Sequence, residues 1–181
     1  MKDPFHGSMQ IKVLAVLVAA VLVREAAADV FFDLGFNATS IDADFGTQPG
    51  YEVSTDASGA HLGLGLRREL KQGTIGARLE LDDLDGELLL AVRALDYGRH
   101  VSERFTLTAF AGAARLDLDT PAYGYYLGGG VLLEDLWPRW SLGVDLRFGD
   151  KLARDNFDPL AVRPDDFYDL SGVSLYLSRR F

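Results

Sequence analysis

Period-two alternation carried through to the last residue is the feature that most limits what this chain can fold into. Counting back from Phe181, Leu177, Leu175 and Val173 share its face, while Ser178, Tyr176, Ser174 and Gly172 share the other. Side chains two apart lie on one face only in a β-strand. The same rhythm recurs upstream. Trp140, Leu142, Val144, Leu146 and Phe148 oppose Ser141, Gly143, Asp145, Arg147 and Gly149. Ile75, Ala77, Leu79 and Leu81 oppose Gly76, Arg78, Glu80 and Asp82, and Leu62, Leu64 and Leu66 oppose His61, Gly63, Gly65 and Arg67.

Eight such segments are predicted, over 29–45, 60–69, 74–82, 87–98, 104–118, 125–135, 140–151 and 170–181. Segments one, four and five are less regular. Near 114–118 the apolar parity flips, which predicts a bulge or emergence from the membrane. Connections alternate between tight ones (71–73, 100–103, 137–139) and a second set at 46–59, 83–86, 120–124 and 152–169. An even strand number places both termini on one side.

The N-terminus reads as an export signal. Lys12 precedes an apolar run over 13–23, followed by Arg24-Glu25-Ala26-Ala27-Ala28, with small residues suited to cleavage before Asp29. That run is shorter than the roughly 20 residues a membrane-spanning helix needs. Residues 1–8 read as a leader or an over-early start, 9–28 as the signal peptide and 29–181 as one domain. No later run is long and uncharged enough for a spanning helix. The chain has no cysteine, which excludes disulfides and thiolate metal sites, and its net charge of -9 argues against nucleic acid.

Alternation alone does not say which face is inside. Three features favour hydrocarbon on the Leu/Val face. The polar face is rich in glycine (Gly63, Gly65, Gly76, Gly128, Gly130, Gly143, Gly172), which makes room inside a narrow barrel. Aromatics gather near segment ends, at Phe32, Tyr97, Phe105, Tyr125, Trp137, Trp140, Phe148 and Phe181, as bilayer interfaces favour. Closure into a barrel leaves no strand edge unpaired in lipid. The competing arrangement is a soluble barrel or sandwich with the same face buried.

Over 29–181 the chain resembles the small eight-stranded outer-membrane barrels of the OmpA transmembrane-domain and OmpX type. The resemblance rests on the export signal, the eight-segment layout, the run Tyr123-Gly124-Tyr125-Tyr126-Leu127-Gly128-Gly129-Gly130 and the terminal Phe181. In that family a terminal aromatic serves recognition by the barrel-insertion machinery and closure of the barrel. Arg179 departs from the pattern, because an apolar residue usually stands two before the end; at the rim it could snorkel. The resemblance implies a monomeric up-and-down barrel in the bacterial outer membrane, in contact with its lipid and lipopolysaccharide. It implies no cofactor and a non-enzymatic role in envelope integrity, surface interaction or adhesion.

The polar face assigns Arg67, Arg78, Glu80, Arg93, Glu134, Asp145, Arg147 and Arg180 to the interior. Eight strands leave a lumen that side chains can fill, so opposite charges there are expected to pair as a structural network. The alternative is an ion-selective path, a narrow channel for small solutes. His61 also faces inward, as an ordinary hydrogen-bonded histidine with no second ligand for a metal. Gly128-Gly129-Gly130 lies within a strand and is no phosphate loop.

His100-Val101-Ser102-Glu103 is similar to the His-x-Ser pair with Glu of outer-membrane lipid A deacylases, since residues two apart share a face. It falls in a tight turn on the side opposite the lipid A leaflet, so a lipid-modifying enzyme is the least favoured reading. The loop before the last strand carries Asp155, Asp158, Asp165, Asp166 and Asp169, interleaved with Phe157, Phe167 and Tyr168. Those residues suit a solvated loop with aromatics at the membrane rim, or a surface interaction through acidic oxygens and rings.

Overall fold

The computed structural model describes residues 28–45, 52–118, 121–154 and 166–181. The expected signal peptide and leader therefore lie outside the described residues. Eight antiparallel strands form a closed barrel in chain order: β1 Asp29–Phe45, β2 Glu52–Leu70, β3 Gly73–Leu84, β4 Glu87–His100, β5 Phe105–Asp117, β6 Ala122–Trp137, β7 Trp140–Arg154 and β8 Asp166–Arg180. β1 meets β8 from Phe31↔Arg180 to Phe45↔Asp166, and the Phe181 N–H donates to the Val30 carbonyl at 3.0 Å. The last residue thus finishes the seam between first and last strands. No helix among the described residues is long and apolar enough to cross a membrane.

The outward face is apolar and the middle of the inward face is charged. On β1, Leu34 and Phe36 are 55% and 74% exposed, whereas Asp33 is fully buried. The outward residues of β1 run Val30, Phe32, Leu34, Phe36 and Ala38 before Ser40, Asp42 and Asp44 begin. Eight residue steps span about 27 Å of strand, or about 20 Å of membrane once the strand tilts by roughly 40°. That approaches the apolar band of a transmembrane barrel, about 25 Å tall. The aromatics form two girdles: Phe32, Tyr97, Phe105, Trp137, Trp140 and Phe181 lie toward the end that holds both termini, and Tyr125 and Phe148 toward the other. Arg179 snorkels into the first girdle, its guanidinium 5.5 Å from the Trp140 ring and 5.0 Å from that of Phe181.

Local chemistry sets the turns. Leu84 pairs with Glu87 across Asp85-Gly86, both at positive φ (54° and 99°), the type I′ geometry that Asp-Gly favours. Trp137 pairs with Trp140 across Pro138-Arg139, where proline fixes the first φ and Arg139 takes a φ of 68°. Inside, three rings lie over glycines of the paired strand. A Cβ on Gly65, Gly128 or Gly143 would come within 2.2–2.4 Å of Phe31, Phe110 or Tyr176 respectively. Each ring sits opposite its glycine in the register, so the inward glycines are the floor on which the interior aromatics rest.

Four expectations need correction. β2 begins at Glu52, not at residue 60, because its outer half pairs with β1 up to Asp44↔Glu52. β6 and β8 also start early, at Ala122 and Asp166, so Asp166, Phe167, Tyr168 and Asp169 belong to a strand and not to a loop. Asp155, Phe157, Asp158 and Asp165 lie outside the described residues. No bulge lies near 114–118 of β5: Ala114 and Leu116 point inward in step with Thr106, Thr108 and Phe110, and the change of apolar parity fits emergence from the membrane, where Arg115 and Asp117 face outward. Register shifts lie elsewhere, between Arg93 and Leu95 of β4 (opposite Gly76 and Arg78 of β3), between Gly149 and Leu152 of β7 (opposite Tyr123 and Tyr125 of β6), and between Leu133 and Trp137 of β6. The first turns both Arg93 and Asp96 inward. The second, with Lys151 at a φ of 46°, turns Leu152 inward.

If lipid bathes the Leu/Val face, Val144→Arg, in the middle of the β7 band, destabilises the folded barrel by about 2–4 kcal/mol. Asp150→Arg, beyond the band, leaves stability nearly unchanged. Urea unfolding in phospholipid vesicles, followed by tryptophan fluorescence, measures both.

Candidate functional site

The interior has two parts of different chemistry. At mid-height, alternate residues of β1, β3, β4 and β7 converge as Asp33, Arg78, Glu80, Asp82, Arg93, Asp96, Asp145 and Arg147, each at most 3% exposed. Arg78 bridges Asp33 at 3.0 Å and Asp96 at 3.0 Å, and lies 3.8 Å from both Glu80 and Asp145. Arg93 bridges Glu80 at 2.5 Å and Asp145 at 2.7 Å, with its guanidinium 3.4 Å from the centre of the Phe110 ring. Arg147 pairs with Asp82 and lies 3.3 Å from the Thr39 hydroxyl, while Tyr126 donates to Glu80 at 3.0 Å. His61 Nδ1 is 2.6 Å from Asp82. Three guanidiniums therefore face five carboxylates and one imidazole in a buried interior, with Arg78 and Arg93 each shared between carboxylates.

Toward the other end the interior is apolar. Leu84, Leu89, Leu116, Leu152 and Leu170 are 0–4% exposed and pack with Ala91, Ala114, Ala122, Phe110, Tyr126 and Tyr168. This is a plug across the lumen beyond the charged layer. Two small cavities flank these layers: one of about 20 Å³ at the terminal end, lined by Phe31, Arg67, Glu69, Glu134 and Arg180 among others, and one of about 10 Å³ between Arg147, Tyr126, Leu89 and Leu170. Such volumes hold about one water each.

The expected interior set splits accordingly. Arg78, Glu80, Arg93, Asp145 and Arg147 join the central network. Arg67 lies nearer the terminal end and stacks on Phe31 at 4.7 Å. Glu134 accepts from Thr106, and Arg180 sits 42% exposed at the rim near Asp29, Glu69 and Asp135, at 3.7–3.9 Å. Asp33, Asp82 and Asp96 complete the network and lie outside the expected set. The signal for Asp33 is present in sequence: it alternates with the outward Phe32 and Leu34, on the same parity as Gly35. Asp96 is reached only through the β4 bulge.

His100 and Ser102 are not brought together. His100 Nδ1 is 2.8 Å from Thr106 Oγ1, and its Nε2 is 3.4 Å from Glu69. The Ser102 hydroxyl instead accepts from the backbone N–H of Phe105 at 3.2 Å and of Arg104 at 3.4 Å, closing its own turn. No group of three or more metal-ligating side chains occurs among the described residues.

No family model and no curated protein matches the sequence. Solved structures do. The chain is similar to Ail, the attachment invasion locus protein of Yersinia pestis, with a TM-score of 0.54, 11% identity, and 86% of this chain and 100% of that one covered. It is similar to Neisserial surface protein A, with a TM-score of 0.52, 11% identity and coverage of 83% and 97%. It is also similar to the outer membrane protein AlkL, with a TM-score of 0.50, 14% identity and coverage of 88% and 94%. At such identities the likeness is one of fold. With the apolar band and the closed ladder, it defines a small eight-stranded outer-membrane β-barrel of OmpX-like architecture, resident in the bacterial outer membrane.

The split of the interior set has a measurable consequence. Arg93→Met leaves Glu80 and Asp145 without their shortest partner and destabilises the barrel by about 3–5 kcal/mol. Arg180→Met, at the half-exposed rim, costs less than about 1 kcal/mol. Urea midpoints of the two variants in detergent micelles check the contrast.

Proposed function

We propose that this barrel is a non-conducting, non-enzymatic component of the outer membrane, acting in envelope integrity or surface attachment through the end opposite the termini. One observation carries the reading: the lumen is filled twice over, by the arginine–carboxylate layer and then by the leucine plug. A hydrated ion crossing it would have to displace at least one paired guanidinium and then pass a layer of close-packed leucines. Against an enzyme stands the separate engagement of the His-x-Ser pair, the Ser102 hydroxyl in its own turn and the His100 imidazole with Thr106 of β5 and Glu69 of β2. With both termini on the periplasmic side after export, β1–β2 and β7–β8 carry strand beyond the apolar band into the exterior, where a partner could meet them.

The chemistry of that exterior face narrows the partner. Ail has also been solved in complex with the heparin analogue sucrose octasulfate, a polyanion. Here the outward residues beyond the band include Asp42, Asp44, Asp56, Asp83, Asp85, Glu87, Asp117, Asp150 and Asp169, against Arg115 and Lys151 among the described side chains. Arg115 is already paired with Asp117 at 2.8 Å. A sulfated polymer is therefore a poor match for this face. Contact with lipopolysaccharide through bridging divalent cations suits it better.

Planar bilayer recordings test the proposal. The folded protein should give no discrete conductance steps in molar KCl, and Arg93→Ala combined with Leu89→Ala and Leu116→Ala should introduce them. Steps from the unaltered barrel would support the narrow-channel reading instead.

A further inference from the structure

Charge on the outward face is sorted by end. Beyond the apolar band at the exterior end it is acidic, with Asp42, Asp83, Asp85 and Asp150 exposed. At the end that holds both termini it is basic: Arg68, Lys71, Arg99, Arg104, Arg139 and Arg179 are all exposed. Parity puts three of these on the lipid-facing side, each one outward step past the band. Arg68 follows Leu66 on β2, Arg99 follows Tyr97 on β4 and Arg179 follows Leu177 on β8. Lys71, Arg104 and Arg139 stand in the β2–β3, β4–β5 and β6–β7 turns.

The carboxylates of this end are engaged elsewhere. Arg180 collects Asp29, Glu69 and Asp135 at 3.7–3.9 Å, and His100 lies 3.4 Å from Glu69 and 3.5 Å from Glu134. Asp29, Glu69, Glu134 and Arg180 line the small cavity at the mouth of the lumen, away from lipid. Glu103 is the remaining exposed carboxylate side chain among the described residues there. No ion pair among the described residues includes any of the six outward cations.

Arg179 shows how such a cation is held. It is the one cation on the outward face of β8, it pairs with Trp140 in the register, and its guanidinium lies between the Trp140 and Phe181 rings at 5.5 and 5.0 Å. A guanidinium seated on rings keeps its N–H edge for an oxygen ligand, and a phosphate meets that fork with two parallel hydrogen bonds. Arg139 is brought alongside by the backbone, its carbonyl accepting from the Arg180 N–H at 3.0 Å. Interfacial tryptophans settle at headgroup depth, where the available anions are lipid phosphates. We propose that these six cations form a collar that binds the phosphodiester headgroups of anionic phospholipids in the periplasmic leaflet, with Arg179 as its fixed member. Anionic lipid is the match because the attraction of a basic patch to a bilayer grows with the bilayer's negative surface charge. The inference is separate from the surface-attachment reading and holds whether or not the lumen conducts.

Both tryptophans of the chain, Trp137 and Trp140, lie at this end, so the protein carries its own probe. The folded barrel is reconstituted in phosphatidylcholine vesicles in which a minor fraction is replaced by brominated phosphatidylglycerol or, in parallel, by brominated phosphatidylcholine. Tryptophan quenching then reports which lipid sits beside the collar. Phosphatidylglycerol should be preferred by about threefold or more. Molar salt, which screens charge beyond about 3 Å, should abolish the preference. Arg139→Gln with Arg179→Gln should remove most of it, whereas Arg115→Gln with Lys151→Gln, which removes the same charge at the other end, should leave it unchanged. Heat-modifiable gel mobility confirms closure of each variant. Equal quenching by the two brominated lipids would overturn the proposal, as would a preference of the unaltered barrel that survives molar salt. Equal losses from the two pairs of substitutions would overturn it too, because the attraction would then follow net charge and not a site. Loss of the preference on adding inorganic phosphate at constant ionic strength would assign the collar to a free anion and would also overturn it.

Discussion

Hydrocarbon provides no hydrogen-bond partner, so each backbone N–H and C=O within the apolar band must be satisfied by a neighbouring strand. Everything else in this barrel follows from closing that ladder. The final contribution is a backbone one, the Phe181 N–H on the Val30 carbonyl, which joins the ends of the chain. Once the sheet is closed with eight strands, its outside has to be aliphatic and its inside is too narrow for anything but side chains. The glycines under Phe31, Phe110 and Tyr176 are the visible result, since the rings have no other place to lie.

The filling of that interior is uneven, and the unevenness matters more than its charge. A wholly apolar lumen would satisfy packing, yet the middle layer holds eight ionisable side chains. Burying them is costly unless each has partners, and removing any one strands its neighbours. Arg93 illustrates the coupling: it holds Glu80 from β3 and Asp145 from β7 while lying on Phe110 of β5, and so ties four strands across the barrel. The leucine plug beyond it excludes water from one side. Together the layers make the interior a core in the ordinary sense, turned outside-in relative to a soluble protein only at its lipid face.

Much of this was legible in the sequence because period two survives wherever one face is lipid and the other is not. The eight strands, their order, the outward aromatics and five of the eight central charges could be read from parity alone. What could not be read has physical causes. Leu84, Leu89, Leu116, Leu152 and Leu170 face inward into a plug, and a leucine in a plug has the same signature as a leucine in lipid; the apparent parity flip on β5 combines this change of interior chemistry with emergence from the membrane outside. The bulges on β4 and β7 shift parity within otherwise regular strands, the second next to Gly149, which hid Asp96 and Leu152. The stretch 52–58 has the Ser/Asp composition of a loop, and its extended form is imposed by pairing with β1. The His-x-Ser spacing carried no paired geometry, because Ser102 closes its own turn while His100 turns to Thr106 and Glu69 on neighbouring strands.

The central claim is that lipid covers the Val/Leu face while the charges lie within, and depth-resolved quenching on β7 tests it most directly. The chain has no cysteine, so single cysteines can be placed in turn from Leu142 to Phe148, labelled with a bimane and reconstituted in vesicles containing nitroxide-bearing lipid. Quenching should be strong at positions 142, 144, 146 and 148, greatest near 144, and weak at 143, 145 and 147. Uniform quenching, or strong quenching at 143, 145 and 147 alone, would contradict the account.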